Sequence, residues 1–230
     1  MSATLAQTGL RDSLMVDTLR RWSVGANVEW LDREMKPDGG GADSRMEAKT
    51  ICLFLGYDVQ DWLMAYGTFG ETEARVKSLG RYDGSEFKFS VGLQASLWKT
   101  EVMDPAFMAG VLSVKAIGEV ARYSFDAEDS GAQGHWNELS LALPFCYEVY
   151  AEREDVIDAI PYSLIVSLGP AVSLVEGSGT TRGVHKDFSG RDPIGFIAGM
   201  DVYISHNLSV GCQVEYFDHT TLSASAAYHF

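Results

Sequence analysis

Seven ionisable residues stand where chemistry is conceivable: Glu29, Lys88, Lys115, Glu119, Glu138, Asp201 and Glu215. Each lies on the polar face of an alternating stretch, among serines, glycines and alanines. Mixed signs on one enclosed face allow internal ion pairing, and the same residues read equally as the lining of a transport path. His185 and Asp187 share a polar stretch, and His135 and Ser130 share another. Such groups are the raw material of acid–base or Ser/His chemistry. The competing reading is solvated loop residues, so no catalytic residue is assigned. Asp38-Gly39-Gly40-Gly41-Ala42-Asp43 offers two carboxylates without the ligand spacing of a calcium loop. Cys52, Cys146 and Cys212 are widely separated, odd in number and outside any CxxC or Cys/His pattern. They read as small apolar fillers. No metal or cofactor is expected.

The elements that must carry these residues repeat every two positions. Such a period means strands with one greasy face and one polar or small face. The final stretch reads LSASAAYHF: Leu222, Ala224, Ala226, Tyr228 and Phe230 share one parity, and Ser223, Ser225 and His229 the other. Nine similar stretches precede it, giving strands over 22–32, 49–57, 62–71, 86–98, 108–123, 138–147, 162–174, 194–205, 208–216 and 222–230. Parity is ambiguous only in the third, where Leu63, Ala65 and Phe69 compete with Trp62, Met64 and Tyr66. Pro170 lacks a ladder donor, which predicts a bulge or break in the seventh strand. Residues 124–136 form an acidic loop, and 176–192 form the longest polar loop. Leu10, Leu14 and Leu19 predict a short amphipathic helix or loose arm over 8–21. The predicted fold is therefore all-β. It is a closed antiparallel up-and-down barrel of about ten strands over 22–230, preceded by an arm over 1–21.

Composition narrows the surroundings. The chain has 230 residues, is 46% hydrophobic and carries a net charge of −14. It has no apolar run of about 18 residues, so a transmembrane helix is excluded. A spanning strand needs only about 9–11 residues and alternates rather than running continuously. The acidic balance argues against nucleic acid as a partner. Met1 to Gln7 lack the basic start and apolar core of a signal peptide. Taken literally, that argues against export; the milder reading is a mature chain with an added or retained Met1.

A terminal aromatic residue closing a dyad-repeat strand resembles the C-terminal signature of Gram-negative outer-membrane β-barrel proteins. The alternation over 22–230 is similar to that of the small OmpA-like and opacity-type barrels. The resemblance implies that Tyr228 and Phe230 form an assembly signal read by the barrel-assembly machinery. It also implies an outer-membrane location, with outer-membrane lipid and lipopolysaccharide as surroundings. Trp22, Trp30, Trp98 and Tyr228 then fit an aromatic girdle at the lipid–water interfaces. Trp62 and Trp136 are read the same way. Ten strands are only slightly wider than the eight whose interior side chains just fill, so no open channel is expected. The small barrels include omptin proteases, but this chain has no Asp-Asp dipeptide. The functional expectation is a non-enzymatic barrel that anchors surface loops for envelope structure or for surface and ligand contact. The alternative is a small transporter or narrow pore for hydrophobic or small polar solutes.

Overall fold

The computed structural model describes residues 21–37, 44–76, 85–102, 110–127, 132–151, 162–181, 184–205, 207–217 and 220–230. The expected helix or arm, the Asp38–Asp43 tip and Ser130 lie outside these residues.

Twelve strands follow one another: β1 (Trp22–Pro37), β2 (Ser44–Gln60), β3 (Leu63–Val76), β4 (Ser85–Val102), β5 (Gly110–Ala127), β6 (Ala132–Ala142), β7 (Phe145–Ala151), β8 (Tyr162–Thr181), β9 (Val184–Gly190), β10 (Ile194–Tyr203), β11 (Leu208–Tyr216) and β12 (Thr220–His229). Every pairing among them is antiparallel, and the order β10-β11-β12-β1-β2-β3-β4-β5-β6-β8 closes through β8–β10. At the join of first and last strands, the Trp22 and Phe230 amides each donate to the other's carbonyl, at 3.0 and 2.9 Å. Closure leaves the sheet no long free edge.

The twelve strands occupy ten staves, the number expected. β7 continues β6, both lying between β5 and β8. β9 and β10 likewise share a stave beside β8. The proline break falls one stave away from its predicted place. Pro170 stays within β8, and its carbonyl accepts the Leu143 amide at 3.0 Å. It has no N–H to return that bond, and Pro144 has none to offer β5. The ladder therefore lapses at Leu143–Pro144, between β6 and β7. Gly169 accommodates the crossing: a Cβ there would sit 2.2 Å from the Leu143 carbonyl oxygen.

Several predicted loops turn out to be strand. β1 and β2 run to Pro37 and from Ser44, and the polar stretch 176–192 contains the end of β8 and all of β9. Asp32, Glu34, Glu47 and Glu176 keep the alternation but replace its outward apolar member with charge. The strands thus continue beyond their greasy section. Trp62 belongs to the turn before β3, and Met64 and Tyr66 point inward while Phe69 points out.

The outer wall is apolar over a fixed height. On β1 the outward row is Trp22, Val24, Ala26, Val28 and Trp30, then Asp32, Glu34 and Lys36. The greasy part covers about 26 Å along the strand, or about 20 Å of height at a barrel tilt of 35–45°. Ile51, Phe89, Leu141, Leu168 and Val210 continue this belt around the wall, all exposed. The interior holds the serines and charges together with three apolar clusters. The largest caps the charged upper section, with Leu31, Met46, Tyr123, Phe125, Trp136 and Val175 among its members.

Candidate functional site

The alternation sends all seven predicted ionisable residues inward, and each is at most 3% exposed. Lys88 Nζ donates to Glu29 Oε2 at 2.8 Å and lies 4.8 Å from the Tyr123 ring centroid. Tyr123 in turn stacks on Trp136, with centroids 4.4 Å apart and planes 8° from parallel. Glu119 Oε2 accepts the Tyr66 hydroxyl at 3.0 Å. That ring lies flat over Gly92, where a Cβ would meet Tyr66 Cζ at 2.3 Å. Lys115 acts electrostatically on Asp201, both buried. Glu215 Oε1 accepts the Gln213 amide at 2.5 Å.

Sequence reading misses Arg33, which lies one residue past the strand predicted over 22–32. It is buried, donates to Glu138 Oε1 at 2.9 Å and lies 4.7 Å from the Phe217 ring centroid. Ser173 Oγ donates to the same Glu138 oxygen at 2.6 Å. The available signal was parity: Arg33 continues the inward row Asn27, Glu29, Leu31. His229 was also placed only coarsely. The hydroxyls of Ser23 and Ser209 lie 2.9 Å from its two ring nitrogens, which ties the first and last two staves together near the chain termini.

Of the aromatic residues read as girdle, Trp22, Trp30, Trp98 and Tyr228 face outward, 44–49% exposed, and Trp62 is also exposed. Trp136 does not. β6 begins at Ala132, so Trp136 shares the inward parity of Glu138 and is 1% exposed. Phe230 ends the wall with its ring exposed beside Tyr228, centroids 6.2 Å apart. Cys52 and Cys146 are buried fillers, and Cys212 faces outward among the belt residues.

Outside the barrel, His185 Nε2 is 3.2 Å from Asp187 Oδ1, and Thr180 Oγ1 is 3.3 Å from its Nδ1. His135 pairs with Ser178, and Ser178 with Asp187, so these residues share one cross-strand row. His135, Ser178, Thr180 and His185 border a shallow recess of about 420 Å³ that includes Glu86, Asp126 and Ser124. His185 and Asp187 are exposed. Among the described residues no group of three His, Cys, Asp or Glu side chains can hold a metal. On the same upper section Arg45 bridges Asp32 and lies 3.5 Å from Glu47. The Asp32 carboxylate holds the Arg45 guanidinium above its ordinary pKa through their hydrogen bond.

No family model and no curated protein matches this chain. Solved structures similar to it are outer-membrane β-barrels. An outer membrane channel from Pseudomonas putida F1 is 11% identical, with 96% of this chain and 98% of that one covered, at a TM-score of 0.40. The translocator domain of the autotransporter NalP from Neisseria meningitidis is 14% identical over 91% and 88%, at 0.38. The transport unit of the autotransporter AIDA-I from Escherichia coli is 12% identical over 96% and 94%, at 0.40. The barrel of this chain rests on its own ladders.

Proposed function

We propose that this chain is an integral barrel of the bacterial outer membrane with no enzymatic role. Its barrel anchors a rigid, charged surface section for envelope structure or for surface contact. The observation that carries this is the inversion of polarity. Leucines, valines and aromatics cover the outside, and Glu29, Lys88, Arg33 and Glu138 are sealed within. A soluble barrel turns its greasy face inward, whereas a lipid-facing wall makes this arrangement favourable. In this reading lipid and lipopolysaccharide surround the wall, and its assembly passes through the barrel-assembly machinery. Side chains fill the section through Tyr66, Phe54, Ile117, Ile197 and Phe217.

The test is fluorescence quenching in vesicles containing brominated phospholipid. A protein keeping only Trp30 loses most of its emission if the wall meets acyl chains, and keeps it if the wall faces water. Planar-bilayer recording is expected to show no reproducible conductance steps. Steps would favour the second reading, a transporter or narrow pore for hydrophobic or small polar solutes. One observation favours that reading independently: the wall is not laddered continuously.

A further inference from the structure

Part-way up the wall, β1 changes partner. Its ladder with β12 ends at Trp30↔Leu222, and its ladder with β9 begins at Met35↔Gly190. The facing stave breaks at the same height. β10 leaves β8 at Ile194↔Val172, and β9 meets it again at Ser189↔Glu176. Arg191, Asp192 and Pro193 cross between them outside any strand. The β1 residues from Leu31 to Glu34 cover about 10 Å. Over that length no described strand ladders to this edge of β1. The barrel has ten staves below this level and eight above it, because the β11–β12 hairpin stops there.

Side chains close the wall at this seam. Outside, Arg191 forms an ion pair with Glu34. Inside, Phe217 lies beneath the Arg33 guanidinium and is 6% exposed. On the outer side the wall is hollowed into a recess of about 410 Å³ bordered by Trp30, Leu31, Asp32, Lys49, Thr220 and Leu222. That volume lies within the range of small-molecule sites. The recess straddles the upper edge of the belt, with apolar residues below and charges above. Glu215 is the last inward residue of β11, two positions before Phe217. Its Oε2 is buried and reaches no hydrogen-bond partner among the described residues. Among the described residues seven buried acids, Glu29, Asp58, Glu119, Glu138, Glu148, Asp201 and Glu215, outnumber the buried Arg33, Lys88 and Lys115.

We propose that this seam is a lateral portal for an amphiphile with an alkyl chain and a cationic or hydrogen-bond-donating head. The chain takes the place of the Phe217 ring. The head reaches the open Glu215 oxygen. Arg191 and Glu34 clasp the opening from outside, and their separation widens it without breaking any strand ladder. This inference rests on the membrane-spanning reading above.

The experiment uses the full chain in vesicles with Trp22, Trp30, Trp62 and Trp98 replaced by Phe, leaving Trp136 inside. The probe is an alkylammonium brominated at the chain end. Trp136 emission is expected to fall by half or more. Arg191→Gln, a surface change that spares the core, is expected to shift the response to several-fold lower probe concentration. Glu215→Gln is expected to weaken the response to the ammonium about ten-fold, on the scale of one charge-assisted hydrogen bond. The brominated alkanol of equal length should respond as before. Trp136 emission unchanged in both the parent and Arg191→Gln overturns the portal. If the Trp30-only protein is quenched by brominated phospholipid in the same vesicles, the portal alone has failed. If that protein is not quenched, the membrane reading has failed first. A brominated alkylcarboxylate acting as strongly as the ammonium overturns the head-group assignment.

Discussion

Replacing Lys88 by methionine tests the enclosed charge column most directly. The ammonium and the Glu29 carboxylate are 2.8 Å apart, and both side chains are 1% exposed. At an effective dielectric constant of about 20, that separation is worth about 6 kcal/mol of attraction. Desolvation of both groups offsets much of it, so the pair's net contribution is small. Removing one partner is different, because Glu29 must then stay charged in a dry interior or take up a proton. Breaking a buried pair in this way costs about 3–5 kcal/mol. The lost contact with the Tyr123 ring adds about 0.5–2 kcal/mol. Lys88→Met is therefore expected to lose at least 3 kcal/mol in urea unfolding from vesicles. Trp136, stacked on Tyr123 beside the pair, supplies a local fluorescence signal. Adding Glu29→Gln should restore most of the loss, leaving mainly the cation–ring term. If Lys88→Met falls within about 1 kcal/mol of the parent, or the double variant is weaker than the single, the buried-pair reasoning is wrong.

Three further outcomes are expected. Leu141→Arg, at the middle of the outward belt opposite Gly118 and Val172, should cost about 2–4 kcal/mol in lipid, and Arg122→Leu at its upper edge should change stability by no more than about 1 kcal/mol; paired urea titrations compare them. Burial, then the nearby Asp126 charge, raises the Glu86 pKa above its usual carboxylate value. The folded state thus holds that proton more tightly than the unfolded chain. Its contribution is fully present below the unfolded value of about 4.3 and is lost as pH rises through the folded one. Glu86→Gln should flatten this acid-side slope of unfolding stability. Phe230→Ala should lower the yield of assembled barrel in cells while leaving the unfolding midpoint of purified, refolded protein nearly unchanged; an equal drop in both would make Phe230 a purely structural residue.

The greasy parts of the wall were legible because alternation is strict there. Phe87 to Leu93 on β4 and Leu164 to Leu174 on β8 identify both a strand and its faces without any tertiary knowledge. Beyond the belt the signal changes sign. From Asp32, Glu47 and Glu176 onward the outer face of the strand turns polar, and polar residues there look like loop. Only the inward members, Leu31, Met35 and Met46, betray the continuation, and a half-pattern is weak. The third strand stayed ambiguous because Tyr66 and Met64 fill the lumen with apolar bulk. Both faces of β3 are then greasy, and a neighbour was needed to choose between them. The proline break was misplaced for a related reason: Pro170 removes a bond from the strand opposite it, which sequence order does not reveal. The pairing of Arg33 with Glu138 joins residues 105 positions apart and was invisible to any local pattern.

Above the belt, Tyr123, Phe125, Trp136 and their neighbours make a dry plug on which the outermost hairpins stand. Events at the hairpin tips therefore meet solid footing before they reach the apolar-belted part. Peptides grafted between Pro37 and Ser44, or between Ala127 and Ala132, would ride on a plinth that shields the wall beneath from their sequence. The foundation beneath these hairpins is braced by stacked rings, so the surface above it has room to diversify.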